Sequence, residues 1–359
     1  MTTSEIVRAA IAIILIAIVV ARRMGLKKKL EERRAKADKE KRIQRHKEQK
    51  REQREQHKQR QEARLRETTE IRLQTLVGTV HGVANVGGQK LHYAVGGDRE
   101  KAAAVLVLLH GFAGDKEIWQ ALALHLLKWP IHLVIPDLPG FGQNEPVLEA
   151  AYDASSQAKR IKALVHGLGI EKYHLVGHSV GANIAATLAY GDRQCVSSLT
   201  LAEPFGYRVP HQSALDQMLA NQRNPFMIST PEAYENLLGF LHAQPVSVDP
   251  RLKKLRAEEM AKRRQLKLRI WQHICEGERA HLIEMLLPEL NLPTLVLQGA
   301  ASQVVHPSTA EAMASHLSRG RAVVLPECGH MLMADKPAEV AQAILAHLQE
   351  AIEVSSAAG

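Results

Sequence analysis

The stretch Tyr173-His-Leu-Val-Gly-His-Ser-Val-Gly-Ala-Asn-Ile-Ala-Ala186 decides the fold of this chain. An apolar-rich lead-in reaches GHSVG, and a run of small and apolar residues follows from Ala182 to Ala189. This pattern predicts a strand, a sharp turn and a buried helix. Gly177 and Gly181 are expected in it because a side chain at either position would crowd the strand against the helix. Ser179 would then sit on strained backbone, with its hydroxyl exposed above a sheet, as a nucleophile does.

Apolar runs of strand length recur along the rest of the chain, and helical patterns separate most of them. Short apolar strands that alternate with helices are typical of a parallel sheet covered on both faces. Residues 205–288 break this rhythm, because they contain several helix patterns and no strand pattern. Thr230-Pro-Glu within them has the cap, the proline and the early acid of a helix start, which predicts an inserted helical lid. The predicted strands are 77–86, 90–95, 105–109, 132–136, 174–177, 198–202, 294–298 and 322–326, the first two forming a hairpin around Gly87-Gly88.

Three further motifs follow predicted strands. His110-Gly-Phe112 comes directly after one, and a loop there can direct the Phe112 amide at an oxyanion, with Val180 next to the nucleophile supplying the second amide. Cys328-Gly-His330 follows the last strand, where a histidine can reach Ser179 and act as general base and then as acid. The third motif, Asp137-Leu-Pro-Gly-Phe-Gly, is interpreted as a structural turn.

With these residues in place, the chain resembles the α/β-hydrolase superfamily from about residue 78 to residue 350. Within that superfamily it is most similar to the membrane-anchored monoacylglycerol lipase-like proteins and related bacterial lipases. The resemblance implies an α/β-hydrolase fold, a serine esterase activity, Ser179 as nucleophile, His330 as general base, and Phe112 and Val180 as the oxyanion hole. The segments that carry it are HGFAGDKEIW from residue 110, DLPGFG from 137, GHSVGANIA from 177, NPFMISTPEAYENLLGFL from 224 and LPECGHMLMADKP from 325.

The chain departs from the family at the third residue of the catalytic triad, the acid that accompanies the nucleophile and the base. The family's acid usually follows the penultimate strand, and here that segment reads Gly299-Ala-Ala-Ser302, with a serine that cannot stabilise an imidazolium by charge. Glu203, at the end of the preceding strand, is predicted to replace that acid. A structural role for Glu203 and a site without any acid remain alternatives, and Glu327 is a weaker candidate.

The predicted lid carries apolar residues that are expected to line a pocket for an acyl chain, although packing of the lid against the body would explain them too. The residues predicted to bind substrate are Phe205, Met218, Phe226 and Met227. Residues 251–274 form a basic helical stretch with either a solvated or a membrane-facing surface. The leading hypothesis is a hydrolase of lipid-derived, monoacylglycerol-like esters acting through an acyl-Ser179 intermediate. A catalytically impaired scaffold, and a hydrolase of thioesters, amides or carbon–carbon bonds, are the alternatives.

The first 75 residues have a different composition from the rest. Residues 9–21 form an uninterrupted apolar run. One basic residue, Arg8, precedes it, and five follow it closely at positions 22, 23, 27, 28 and 29. This order favours an uncleaved anchor over a cleaved signal or an interfacial helix. The sequence thus predicts a single-pass membrane protein of a bacterial inner membrane, with the catalytic domain on the cytoplasmic side.

Residues 27–72 hold 19 Lys and Arg against 10 Asp and Glu, and so carry an excess equal to the chain's whole net charge of +9. They are interpreted as a solvated, partly helical spacer, with adhesion to anionic lipid as an alternative. Nucleic acid is not expected as a partner because no aromatic residues interleave the charge. Three widely spaced cysteines indicate no disulfide framework, and no metal or cofactor is expected. The predicted segments are 1–26 (anchor), 27–75 (spacer), 76–204 and 291–350 (core), 205–290 (lid) and 351–359 (tail).

Overall fold

The computed structural model describes two long parts of the chain, residues 79–276 and 280–357. The chain divides into two compact units, residues 1–67 and residues 68–359. The predicted anchor and spacer belong almost entirely to the segment outside the described residues. The positions described before residue 79 are Arg23, Met24, Gln44, Glu48, Lys50 and Gln53.

The predicted localisation has to be corrected. The sequence predicted a single-pass membrane protein, but no helix within the described residues is long and apolar enough to cross a membrane. The apolar run behind that prediction, residues 9–21, lies outside the described residues.

Eight strands form one mostly parallel sheet in the order β1-β2-β4-β3-β5-β6-β7-β8. Only the β1–β2 and β2–β4 pairs within this sheet are antiparallel. The predicted strands are confirmed to within a few residues, the hairpin included. The strands are β1 (Thr79–Val86), β2 (Gln89–Gly96), β3 (Ala104–Leu109), β4 (Ile131–Pro136), β5 (Tyr173–His178), β6 (Val196–Ala202), β7 (Thr294–Gly299) and β8 (Gly320–Leu325).

Helices cover both faces of the sheet. Along β3, alternate side chains enter two different cores, with Val107 and Leu109 in one and Leu106 and Leu108 in the other. This period of two is what a strand buried on both faces requires. The first core is closed by α2 (Ala154–Gly167) and α3 (Val180–Gly191), and the second by α1 (Gln120–Leu126), α10 (Leu332–Asp335) and α11 (Pro337–Ala357).

The chain between β6 and β7 forms helices and no strand among its described residues. We refer to residues 205–290 as the helical insertion. The predicted start at Thr230 is confirmed, since its side chain accepts a hydrogen bond from Ala233 N at 3.2 Å and Pro231 occupies the first turn. The helices of the insertion are α4 (Ala214–Ala220), α5 (Pro231–Leu241), α6 (Pro250–Lys262), α7 (Arg264–Trp271) and α8 (Leu282–Leu286); α9 (Thr309–Ser315) follows β7.

The parallel strands β3, β5, β6, β7 and β8 all end at the same edge of the sheet, because parallel neighbours share a direction. Register places Gly177 of β5 opposite Leu201 of β6, and Ala202 of β6 opposite Leu297 of β7. The residues that follow these strands therefore meet at one edge. Ser179 follows β5 and Glu203 follows β6, so both residues lie at this edge of the sheet.

Candidate active site

Ser179 occupies the sharp turn between β5 and α3. Its backbone angles are φ 56° and ψ −121°, a region that costs a residue with a side chain on the order of 1–3 kcal/mol. The surroundings enforce this conformation. A Cβ on Gly177 would lie 2.3 Å from Gly181 O, and one on Gly181 would lie 2.4 Å from His110 O. Both glycines are therefore required by close packing, as the sequence predicts.

Glu203 is fully buried beside this turn and has a positive φ of 50°. One carboxylate oxygen, Oε1, accepts hydrogen bonds from Gln298 Nε2 at 2.8 Å and Gly299 N at 2.6 Å. The other, Oε2, accepts from Ser302 Oγ at 2.6 Å and lies 2.9 Å from His330 Nδ1. Four donors thus converge on one carboxylate, and one of them is the imidazole predicted to act as base.

The protonation of this pair follows from its burial. Burial raises the pKa of Glu203, and the hydrogen bonds from Ser302, Gly299 and Gln298, which lower it, offset that rise only in part. Burial also lowers the pKa of His330, and the nearby His242 lowers it further. A neutral imidazole that donates Nδ1–H to Glu203 has a free lone pair on Nε2. This tautomer can accept a proton at Nε2. Since the two groups share a hydrogen bond, they titrate as a pair.

A second histidine holds the loop of His330. His178 Nε2 lies 2.9 Å from the carbonyl oxygen of His330, and because a carbonyl only accepts, Nε2 carries the proton. The two rings lie 4.6 Å apart, centroid to centroid. His178 Nδ1 is buried and has no hydrogen-bond partner among the described residues. Sequence reasoning gave His178 no role, because the position between glycine and serine in the turn carries no such signal.

The two predicted oxyanion amides lie next to Ser179. A Cβ on Gly111 would lie 2.9 Å from the Cβ of Ser179, so the absence of a side chain lets the loop carrying Phe112 approach the nucleophile. Val180 is the first residue of α3, where the amide has no acceptor within the helix. Within the described part of the chain, neither amide donates to another residue. Both are therefore available to an oxygen bound at the turn.

The loop after Phe112 is fixed by the turn of residues 137–142, which the sequence predicts to be structural. Asp137 is fully buried and accepts hydrogen bonds from Lys116 N at 2.8 Å and Lys116 Nζ at 2.9 Å. His110 Nε2 accepts a hydrogen bond from Leu138 N at 2.9 Å. These contacts agree with the structural interpretation, since they hold the loop that presents Phe112.

A cavity of about 390 Å³ opens beside the turn, a size within the range of ligand pockets. Gly111, Phe112, His178 and His330 form its inner wall. The helical insertion forms the opposite wall with residues from two helices. The residues it contributes are Tyr234, Leu237, Leu238 and Leu241 from α5, His242, and Leu252, Arg256, Glu259 and Met260 from α6, with Phe226 preceding α5.

The four residues predicted to bind substrate do not all lie at this cavity. Phe226 lines it. Phe205 and Met227 are half-buried and pack against the core, and Met218 is half-buried on α4. Leu237, one of the apolar lid residues expected to line a pocket, does line it from α5, together with Leu238 and Leu241 at helical spacing.

Two other sequence candidates have different surroundings. The side chain of Glu327 is 83 % exposed and lies 3.9 Å from Lys336 Nζ. Ser302, which stands where the family's acid is usual, donates its hydroxyl hydrogen to Glu203 Oε2. The usual acid position and its predicted replacement are therefore in direct contact, a link that the sequence does not reveal.

One group of potential metal ligands lies within the described residues, away from Ser179. It consists of His166, Asp192 and Cys195, whose ligand atoms lie within 4.8 Å of one another. The Asp192 carboxylate already pairs with Lys162 Nζ at 2.8 Å and accepts a hydrogen bond from Tyr173 OH at 2.7 Å. Hydrogen bonding and ion pairing thus account for this group.

Comparison with known proteins agrees with this geometry. A family model described as the alpha/beta hydrolase fold matches residues 104–337. The chain belongs to the α/β-hydrolase family. This α/β hydrolase is 30 % identical to a membrane phospholipase A, described as a bacterial virulence factor, in a crystal structure with a TM-score of 0.76 that covers 80 % of this chain and 92 % of that one.

Two curated relatives are lipases. Lipase 1 of Psychrobacter immobilis is 28 % identical over 258 residues, which are 71 % of this chain and 79 % of that protein. Monoacylglycerol lipase abhd6-B of Xenopus laevis is 28 % identical over 269 residues, 72 % of this chain and 79 % of that protein. With the fold, these relatives make this α/β hydrolase a serine ester hydrolase of the lipase and esterase type.

Proposed function

We propose that this α/β hydrolase cleaves lipid-derived carboxylic esters carrying a single acyl chain, of the monoacylglycerol kind, with Ser179 as nucleophile, His330 as general base and Glu203 as the acid. The observation that carries the proposal is the 2.9 Å contact between His330 Nδ1 and Glu203 Oε2. A serine at the usual acid position, bonded to that same carboxylate, supports it further.

The proposed reaction has two halves. His330 Nε2 takes the proton of Ser179 Oγ as that oxygen attacks the ester carbonyl, and Glu203 stabilises the imidazolium that forms. The Phe112 and Val180 amides donate to the tetrahedral oxyanion. His330 then protonates the leaving alcohol oxygen, and the acyl group stays on Ser179. Water then attacks the acyl-enzyme carbonyl as His330 takes one of its protons. The bond from the acyl carbon to Ser179 Oγ breaks, His330 returns the proton to that oxygen, and the carboxylic acid is released.

The helical insertion is proposed to act as a lid over the acyl chain. Leu237, Leu238 and Leu241 present an apolar surface from α5 to the cavity, and Phe226 extends it. In this proposal residues 76–204 and 291–350 form the catalytic core, which the lid of residues 205–290 interrupts. The relatives support the substrate class, since two are named lipases, one of them a monoacylglycerol lipase, and a third is named a phospholipase.

A fluorophosphonate probe tests the nucleophile. Folded wild-type protein should be labelled, and Ser179→Ala should not be, because the probe phosphonylates an activated serine through the same attack. Absence of labelling in folded wild type would favour a non-catalytic scaffold, and labelling that persists in Ser179→Ala would place the nucleophile elsewhere. A chain-length series of monoacyl esters then tests the substrate class, with higher kcat/KM expected for longer acyl chains than for acetyl esters.

A further inference from the structure

A second imidazole–carboxylate pair lies beside the first. His242 follows α5 directly, and its Nδ1 lies 2.6 Å from Asp335 Oδ1. The other oxygen of Asp335 accepts from Ala243 N at 3.0 Å and from Gly329 N at 2.8 Å. These bonds, together with the bond from His242, lower the pKa of Asp335 although burial alone would raise it. An ionised Asp335 only accepts, so Nδ1 of His242 carries the proton and the ring is held in one orientation.

The proposed mechanism does not use His242, yet it lies next to His330. The two histidines line the same cavity. The loop of His330 packs directly on the end of α5, since Met331 N donates to Leu241 O at 3.1 Å. A Cβ on Gly329 would lie 2.7 Å from that same oxygen. His242 therefore borders the end of the cavity where His330 would deliver its proton.

The identity of the group at that end follows from the reaction. The leaving alcohol oxygen has to lie within hydrogen-bond reach of His330 Nε2 to receive its proton. In a glycerol monoester, a further hydroxyl lies on the neighbouring carbon of the alcohol. A buried hydroxyl without a partner costs about 1–3 kcal/mol. Within the described part of the chain, His242 Nε2 has no hydrogen-bond partner. A hydroxyl can donate to this nitrogen when the ring is neutral and accept from it when the ring is protonated.

From this placement we infer that His242, oriented by Asp335, recognises a hydroxyl group on the alcohol part of the substrate. The enzyme then selects esters of polyols such as glycerol over esters of simple alcohols. The inference rests on the proposed function and adds the determinant of its alcohol specificity. His242 is a binding residue in this account, and Asp335 is a positioning residue that acts through it.

The test compares two esters of one acyl chain, the glycerol monoester and the methyl ester, in wild type, His242→Phe and His242→Gln. Phenylalanine keeps the shape of the ring and removes the nitrogen, whereas glutamine places a polar atom near the position of Nε2. The ratio of kcat/KM for the glycerol ester to kcat/KM for the methyl ester should fall at least about tenfold in His242→Phe. His242→Gln should recover most of that loss.

The ratio cancels indirect effects. His242→Phe also removes a partner of Asp335 and can disturb the loop of His330, but such a disturbance slows both reactions alike. Leu238→Ala, a change in an apolar residue that lines the same cavity from α5, should lower both rates and leave the ratio in place. Labelling by a fluorophosphonate verifies that Ser179 is intact in every variant.

Two outcomes overturn the inference, and they are distinguishable. An unchanged ratio in His242→Phe, with the wild type active on both esters, removes the role of His242 and leaves the proposed function standing. A folded wild type that hydrolyses neither ester overturns the proposed function, and the role of His242 with it.

Discussion

Replacing Glu203 by glutamine tests the relocated acid most directly. The amide has nearly the shape of the carboxylate, so packing is kept, but one oxygen becomes a donor. The backbone N–H of Gly299 donates to Oε1 and can only donate, which directs the new NH₂ group to the position of Oε2. There it faces His330 Nδ1, which is now forced to accept. The imidazole proton moves to Nε2, and the general base is lost.

The expected loss is large because the wrong tautomer removes the base as well as the charge. Exchange of a triad aspartate for its amide lowers kcat by about 10⁴-fold in a serine protease. We expect Glu203→Gln to lower kcat for a soluble monoacyl ester at least about a hundredfold. The thermal midpoint should change little, since the number of hydrogen bonds is nearly conserved.

Two variants serve as controls in the same esterase assay. Glu327→Gln alters another carboxyl three residues from His330, but one that is mostly exposed, and should leave kcat near the wild-type value. Ser302→Ala removes one neutral donor to Glu203, worth about 1 kcal/mol, and should cost about fivefold. If Glu203→Gln is folded and retains kcat within about threefold of wild type, Glu203 is not the acid.

Two further predictions concern the insertion and the core. Arg256 Nη2 on α6 lies 2.7 Å from Glu117 Oε2 and joins the helical insertion to the loop carrying Phe112. Because this ion pair is partly exposed, Arg256→Gln should lower kcat/KM only about twofold to fivefold. The dependence of kcat/KM on NaCl concentration should also be weaker in this variant. Burial lowers the pKa of His174 to about 4. Between pH 6.5 and pH 4, His174 is therefore protonated in the unfolded chain but still neutral in the folded protein. The free energy of unfolding should fall by up to about 3 kcal/mol as the pH is lowered through that window. Urea denaturation at several pH values measures this fall, which His174→Asn should reduce; the same slope in that variant would contradict the assignment.

The fold was predictable because its strands are bounded by strong local signals. Each central strand is a short apolar run, and sequence bounds such as 105–109 differ from the observed Ala104–Leu109 by a single residue. The turn at Ser179 was predictable for the same reason, since the close approaches at Gly177 and Gly181 leave no space for a side chain at either position. Packing between residues that are close in the chain therefore determines residue types that can be recognised in a short stretch of sequence.

The contacts between distant segments were harder to predict. The bond between His242 and Asp335 joins residues 93 apart in the chain, and the bond between His178 and the His330 carbonyl joins residues 152 apart. No periodicity links such positions, because each depends on how two loops meet above the sheet. For the same reason the apolar character that Met218 and Phe226 share does not tell which of them lines the cavity, and the structure places Phe226 there.

The proposed acid is an intermediate case, and the proposed relocation has a simple geometric basis. β6 and β7 are adjacent and parallel, with Ala202 opposite Leu297, so the residues that follow them leave the sheet side by side. Glu203 and Ser302 end within 2.6 Å of each other, which means that a carboxylate from either strand reaches the same point next to His330. Glu203 has a positive φ of 50° at this strand end. The imidazole requires a negative charge at one position in space, whatever its position in the sequence. Two neighbouring strand ends reach that position, and either one can carry the carboxylate.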